Sequence, residues 1–71
     1  MAEFTEYEMR LLRSMADNDM NVTAAAKSVY VHRNSAVYHM EKIWDRTGLN
    51  PRRFRDLVRL LGGTLPEGGV G

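Results

Sequence analysis

Apolar residues fall at helical spacing in four separate stretches, and no stretch alternates with the two-residue period of a strand. Met9, Leu12 and Ala16, with Leu11 and Met15 beside them, form the first stripe. Thr5-Glu6-Tyr7-Glu8 precedes it as a capping box: a hydroxyl covers free N–H groups and a carboxylate three residues on returns the bond. Phe4 and Met9 stand where a hydrophobic staple would close, and Asp17-Asn18-Asp19 marks the end. Asn21 then caps a second helix of about eight residues that ends near Val29 or Tyr30. Its buried face is Val22, Ala25, Ala26 and Val29, and three consecutive alanines (24–26) keep it thin enough for another helix to approach closely.

The third helix is expected from His32 or Arg33, with Ala36, Met40, Ile43 and Thr47 inward and Trp44 flanking, more as core than as a stacking platform. Gly48 supplies its left-handed stop. Asn50 as cap, Pro51 at the first helical position and Leu49 stapling to Phe54 predict a fourth helix, buried through Phe54, Leu57, Val58 and Leu61 and ended by Gly62-Gly63. The pattern predicts an all-α fold, a compact four-helix domain with a central helix-turn-helix. Residues 1–4 form a lead, 5–62 the domain and 63–71 a flexible Gly-rich tail.

Length and composition narrow the function. Seventy-one residues make one small domain, and a core of this size contributes only ~3–5 kcal/mol, so self-association is expected to help. Without cysteine there is no disulfide framework and no thiolate metal site. No apolar run approaches the ~18 residues of a membrane span, and nothing reads as a signal peptide, so a cytoplasmic protein without membrane contact is expected. The formal charge of +1 hides an uneven spread: residues 1–20 carry −3, residues 21–62 carry +5 and residues 63–71 carry −1. The basic share falls on residues 21–62, which suits a polyanion.

Asn21 to Gly48 holds a short Ala-rich helix, a three-residue turn and a longer polar-faced helix. The third helix leaves Arg33, Asn34, Val37, Tyr38, Glu41, Lys42 and Asp45 outward. Asn21-Val22-Thr23-Ala24-Ala25-Ala26, Val31-His32-Arg33-Asn34-Ser35, Tyr38, Ile43 and Thr47-Gly48 together resemble the C-terminal helix-turn-helix domain of PucR-type transcriptional regulators. The resemblance covers about residues 9–61. The domain is similar to that of the carbohydrate diacid regulators and, in outline, to the factor for inversion stimulation. It implies an all-helical DNA-binding module. The family commonly has threonine where Ser35 stands, leucine at Ala36, and arginine at Val37 and His39, so two positive charges are missing from the third helix.

Double-stranded DNA is therefore the expected partner, read by a recognition helix over about 33–47 in the major groove. Arg33 and Asn34 are the candidates for guanine and adenine edges, and Val37 for a thymine methyl. Thr23, Ser35, Tyr38 and His32 are candidates for phosphates, and Lys42 and Arg46 for the backbone further along; His32 is also placed to cap the helix. His32 and His39 lie two turns (~10.5 Å) apart, too far to ligate one zinc ion. Glu41 and Asp45 are expected to screen Lys42 and Arg46 or to reject wrong sequences by repulsion, and Arg52, Arg55 and Arg59 to face solvent and balance Asp56, with phosphate contact as the alternative. No cofactor, metal or catalysis is expected. Specificity from so small a module suggests a homodimer, nucleoid-associated when bound. The alternative is a protein-interaction or oligomerisation module without DNA binding, its apolar patch drawn from Val37, Trp44, Leu60, Leu65 and Val70.

Overall fold

A computed structural model describes residues 4–62, which fold into four helices without a strand: α1 (Glu6–Asp17), α2 (Val22–Ser28), α3 (Arg33–Thr47) and α4 (Phe54–Leu60). The all-α, four-helix class is the one the periodicity predicts. The expected tail, including Gly63, Leu65 and Val70, lies outside the described residues.

α1 starts as its capping box dictates. The Glu8 N–H donates to Thr5 Oγ1 at 3.1 Å, and the Thr5 N–H donates to Glu8 Oε1 at 3.0 Å. The buried stripe is Leu11, Leu12 and Met15 with Glu8 and Ser14; Ala16 is exposed and Met9 half-buried. The stripe is thus displaced from the expected one toward Leu11 and Met15, on a helix against which α2 and α4 pack. The link to α2 is short and bent through two left-handed residues, Asp19 (φ 55°) and Met20 (φ 67°), and the Met20 N–H closes onto Met15 O at 2.7 Å.

Asn21 caps α2 as expected, accepting from the Ala24 N–H at 3.0 Å. The helix is one residue shorter than expected, with Val29 as its C-cap. Val22, Ala25 and Ala26 are buried between α1 and α3, and Val29 and Val31 pack on the same core. Ala36, Met40 and Ile43 form the inward face of α3. Gly48 ends it at φ 78°, its N–H donating to Trp44 O at 2.8 Å, while Thr47 Oγ1 donates to Ile43 O at 2.7 Å.

α4 departs most from expectation. Arg53, not Asn50, is its N-cap, without a side-chain cap bond, and residues 51–53 form a turn. Asn50 instead serves that turn. Its Oδ1 accepts from the Arg52 N–H at 2.9 Å, and its own N–H donates to Asp56 Oδ2 at 2.9 Å. The late start rotates the helix: Leu57, Leu60 and Pro51 are buried, Val58 and Leu61 are half-buried, and Phe54 is 60% exposed. Leu60 is therefore core and is not available to a surface patch. Trp44, expected in the core, is 49% exposed.

Candidate nucleic-acid interface

The α2–α3 pair owes its geometry to small side chains. Ala25, Ala26 and Ala36 are all buried where the two helices meet, so their backbones can approach closely. Between them the turn closes with the Val31 N–H donating to Ala26 O at 3.0 Å and passes through Tyr30 in the left-handed region (φ 61°). His32 is the N-cap of α3: its Nδ1 accepts from the Asn34 N–H at 3.2 Å. An accepting Nδ1 leaves the Nε2–H as the ring's donor, on an exposed residue at the positive end of a fifteen-residue helix.

The structure leaves most of the candidate residues exposed, and those on α3 share its outward face. Arg33, Asn34 and Ser35 are exposed on the first turn of α3, which carries no acidic residue. Tyr38 follows one turn later, 55% exposed, with Lys42 Nζ 5.7 Å from its ring centroid. Thr23 is exposed near the start of α2. Glu41 and Asp45 are exposed on the last two turns of the same outward face. The face therefore grades from cationic and hydrogen-bonding at its N-terminal end to mixed charge at its C-terminal end.

Two candidates sit differently. Val37, expected outward, is half-buried and packs on the core, because its phase on α3 turns it toward the side helices. Arg46 is committed to α1: Nη2 lies 3.0 Å from Glu8 Oε1 and Nη1 donates to Glu8 Oε2 at 3.3 Å, while the guanidinium carbon lies 5.4 Å from the Phe4 ring centroid. Burial pushes the Glu8 carboxyl up. The hydrogen bonds from Arg46 and the Thr5 N–H, with the charges of Arg46 and His39, outweigh it and hold the carboxyl below its ordinary value. Beside this pair His39 packs edge-on between Tyr7 (5.0 Å) and Tyr38 (5.3 Å). The Tyr7 hydroxyl is buried without a hydrogen-bond partner, and burial raises its pKa. Glu8 and Tyr7 are thus positioning residues for α3 that the sequence did not reveal. The capping box accounted for Glu8 locally, and no periodicity links it to a residue 38 positions away.

Among the described residues no group of three His, Cys, Asp or Glu is placed to hold a metal ion, and no helix is long and apolar enough to cross a membrane.

The model of one protein family, described as the PucR C-terminal helix-turn-helix domain, matches residues 9–62. The chain is also similar to an uncharacterized protein of Bacillus subtilis (strain 168), YxkF, with 33% identity over 52 residues. That match covers 72% of this chain and 18% of the relative, so the chain spans under a fifth of that protein's length. No solved structure matches the chain significantly.

Proposed function

The chain belongs to the PucR C-terminal helix-turn-helix domain family, a family of DNA-binding transcription regulators, and on that premise we propose that it binds double-stranded DNA sequence-specifically, with α3 entering the major groove N-terminus first. The observation that supports this reading is the charge gradient along the outward face of α3. Arg33, Asn34, Ser35 and Tyr38 are exposed without a carboxylate among them, whereas Glu41 and Asp45 lie further along. A helix lying flat in the groove would bring those two carboxylates against phosphates. A tilted helix keeps them out and leads with its N-terminal turns, the end that reads base edges in helix-turn-helix modules.

In this pose Arg33 pairs with guanine and Asn34 with adenine. His32 Nε2, Ser35, Tyr38 and Thr23 donate to phosphates, and Lys42 reaches the backbone one turn beyond Tyr38. Arg46 acts indirectly, by holding α3 on α1. Val37 touches a base only at the edge of the groove. One module of this size buries roughly 600–1,000 Å² on DNA, so a homodimer on half-sites about 34 Å apart is the form that supplies useful specificity. Such a protein acts on the nucleoid in the cytoplasm.

Titration of duplex DNA at low and high salt tests the reading. Log affinity falls against log salt with a slope of about −0.9 for each phosphate that a lysine or arginine neutralises. Arg33→Ala relaxes preference at a single base position; a uniform loss over all sequences would instead make it a phosphate contact. Binding that is absent, or indifferent to salt, in a folded protein would refute DNA as the partner. It would favour the protein-interaction reading, to which exposed Trp44 and Phe54 lend an apolar surface.

A further inference from the structure

We propose that Arg10, Arg13 and Tyr30 form a second phosphate-binding site, which grips the DNA strand bordering the groove that α3 enters. The proposal rests on the DNA reading above and adds a surface on α1, in the segment whose net charge is negative.

A shallow hollow lies between the outer face of α1 and the helix-turn-helix turn, lined among others by Arg10, Arg13, Asp17, Ser28 and Tyr30. Arg10 and Arg13 are three residues apart on α1 and so share a face. Both are exposed, and among the described residues neither guanidinium makes a hydrogen bond or ion pair. The Ser28 hydroxyl is already spent on Ala25 O at 2.9 Å, so the hollow's unengaged donors are the two guanidinium groups and the Tyr30 hydroxyl. Asp17, one turn beyond Arg13, confines an anion to the Arg10–Arg13 end.

Tyr30 occupies the left-handed region at φ 61°, where glycine is at no disadvantage and a bulky side chain is. Its ring is 94% exposed and adds nothing to the core. A strained position held by a side chain that the fold does not use points to a use outside the fold.

Geometry relates this hollow to the groove. Tyr30 precedes Arg33 by three residues, so their Cα atoms lie at most ~10.5 Å apart. The major groove is about 12 Å wide. When Arg33 and Asn34 stand at base edges, Tyr30 is therefore within reach of the bordering sugar-phosphate chain. Guanidinium forks suit phosphate oxygens, and a phenol O–H donates to them.

The test uses the whole chain and a labelled generic duplex of about two helical turns, with a panel of duplex sequences for base preference. Arg10→Gln with Arg13→Gln lowers the magnitude of the salt slope by about 2, weakens binding to all duplexes alike, and leaves base preference and the melting temperature unchanged. Tyr30→Gly raises the melting temperature by several degrees while weakening DNA binding about fivefold. A merely structural tyrosine would move the first quantity and not the second. The proposal is overturned if the double variant keeps the parent slope and affinity while Arg33→Ala still relaxes base preference, since α3 then reads DNA without this site. If the parent protein shows no salt-dependent binding, the reading of α3 fails and this proposal falls with it.

Discussion

Replacing Glu8 by glutamine separates the two tasks that this carboxylate performs. Glutamine keeps an oxygen for the Thr5 N–H, so the capping box survives. It loses the charge facing Arg46 and presents an amide N–H₂ to a guanidinium that has only donors. Glu8's side chain is 11% exposed and that of Arg46 is 46% exposed, so the arginine recovers water while the glutamine does not. A hydrogen bond to a charged group contributes about 1.5–3 kcal/mol when desolvated, and the exposed partner brings the expected loss to about 1–2 kcal/mol. For a domain of this size that lowers the melting temperature by roughly 4–16 °C. The pH dependence supplies the sharper check. The folded Glu8 carboxyl lies below its ordinary value of 4.5, so its contribution is fully present above that value and is lost as pH falls through the folded pKa. Thermal melts followed by circular dichroism show a wide gap between the parent and Glu8→Gln near neutrality, and the gap closes in acid. A double-mutant cycle with Arg46→Gln returns a coupling of about 1 kcal/mol. Equal melting near neutrality, or a gap that persists unchanged in acid, would refute the assignment of the Glu8–Arg46 pair as the brace between α1 and α3.

Gly48→Ala meets no atom within 4 Å, so its cost is the backbone alone: at φ 78° about 1 kcal/mol is lost, read as a lower denaturant midpoint with an unchanged slope. Ala26→Leu forces α2 from α3 and costs about 1–3 kcal/mol; DNA affinity falls with it, because the turn and the start of α3 move together, and unchanged stability would show that the helices are not in close contact there. Met40→Ala empties the centre of the core for about 2–5 kcal/mol, enough to leave a domain this small largely unfolded near room temperature by circular dichroism.

Helix identity was legible because its signals are local. Thr5 with Glu8, Asn21, and Gly48 each act within one turn of where they stand, and each acts in the structure as its type predicts. The core was legible for the same reason at Leu11, Leu12, Ala25, Ala26, Met40 and Ile43. α4 was misread because Asn50 had two local options. A helix cap beside Pro51 was one; the turn bonds to Arg52 and Asp56 were the other, and they prevail. That choice shifts the helix start by three residues and swings Phe54 outward, which no apolar spacing can register. On the candidate surface, Arg33, Asn34, Ser35, Tyr38, Lys42 and Thr23 could be placed outward by phase alone. Val37 and Trp44 lie at the margins of the buried arc, where packing by other helices decides exposure. The Glu8–Arg46 contact and the conformation of Tyr30 were illegible, the one because it joins distant positions, the other because a left-handed tyrosine has no residue-type signal.

The way the helices are joined also orders their motions. α1 touches α2 and α4, α2 touches α3, and the Glu8–Arg46 and Tyr7–His39 contacts tie α1 to α3, while α4 packs on α1 through a helix of seven residues. α4 is therefore the segment with the fewest ties to the other helices, although its Leu57 and Leu60 belong to the shared core. If α4 lifts away while α2 and α3 stay docked, its backbone amides exchange with solvent faster than those at the centre of α3, which hydrogen exchange would read. The turn between α2 and α3 is then insulated from that motion.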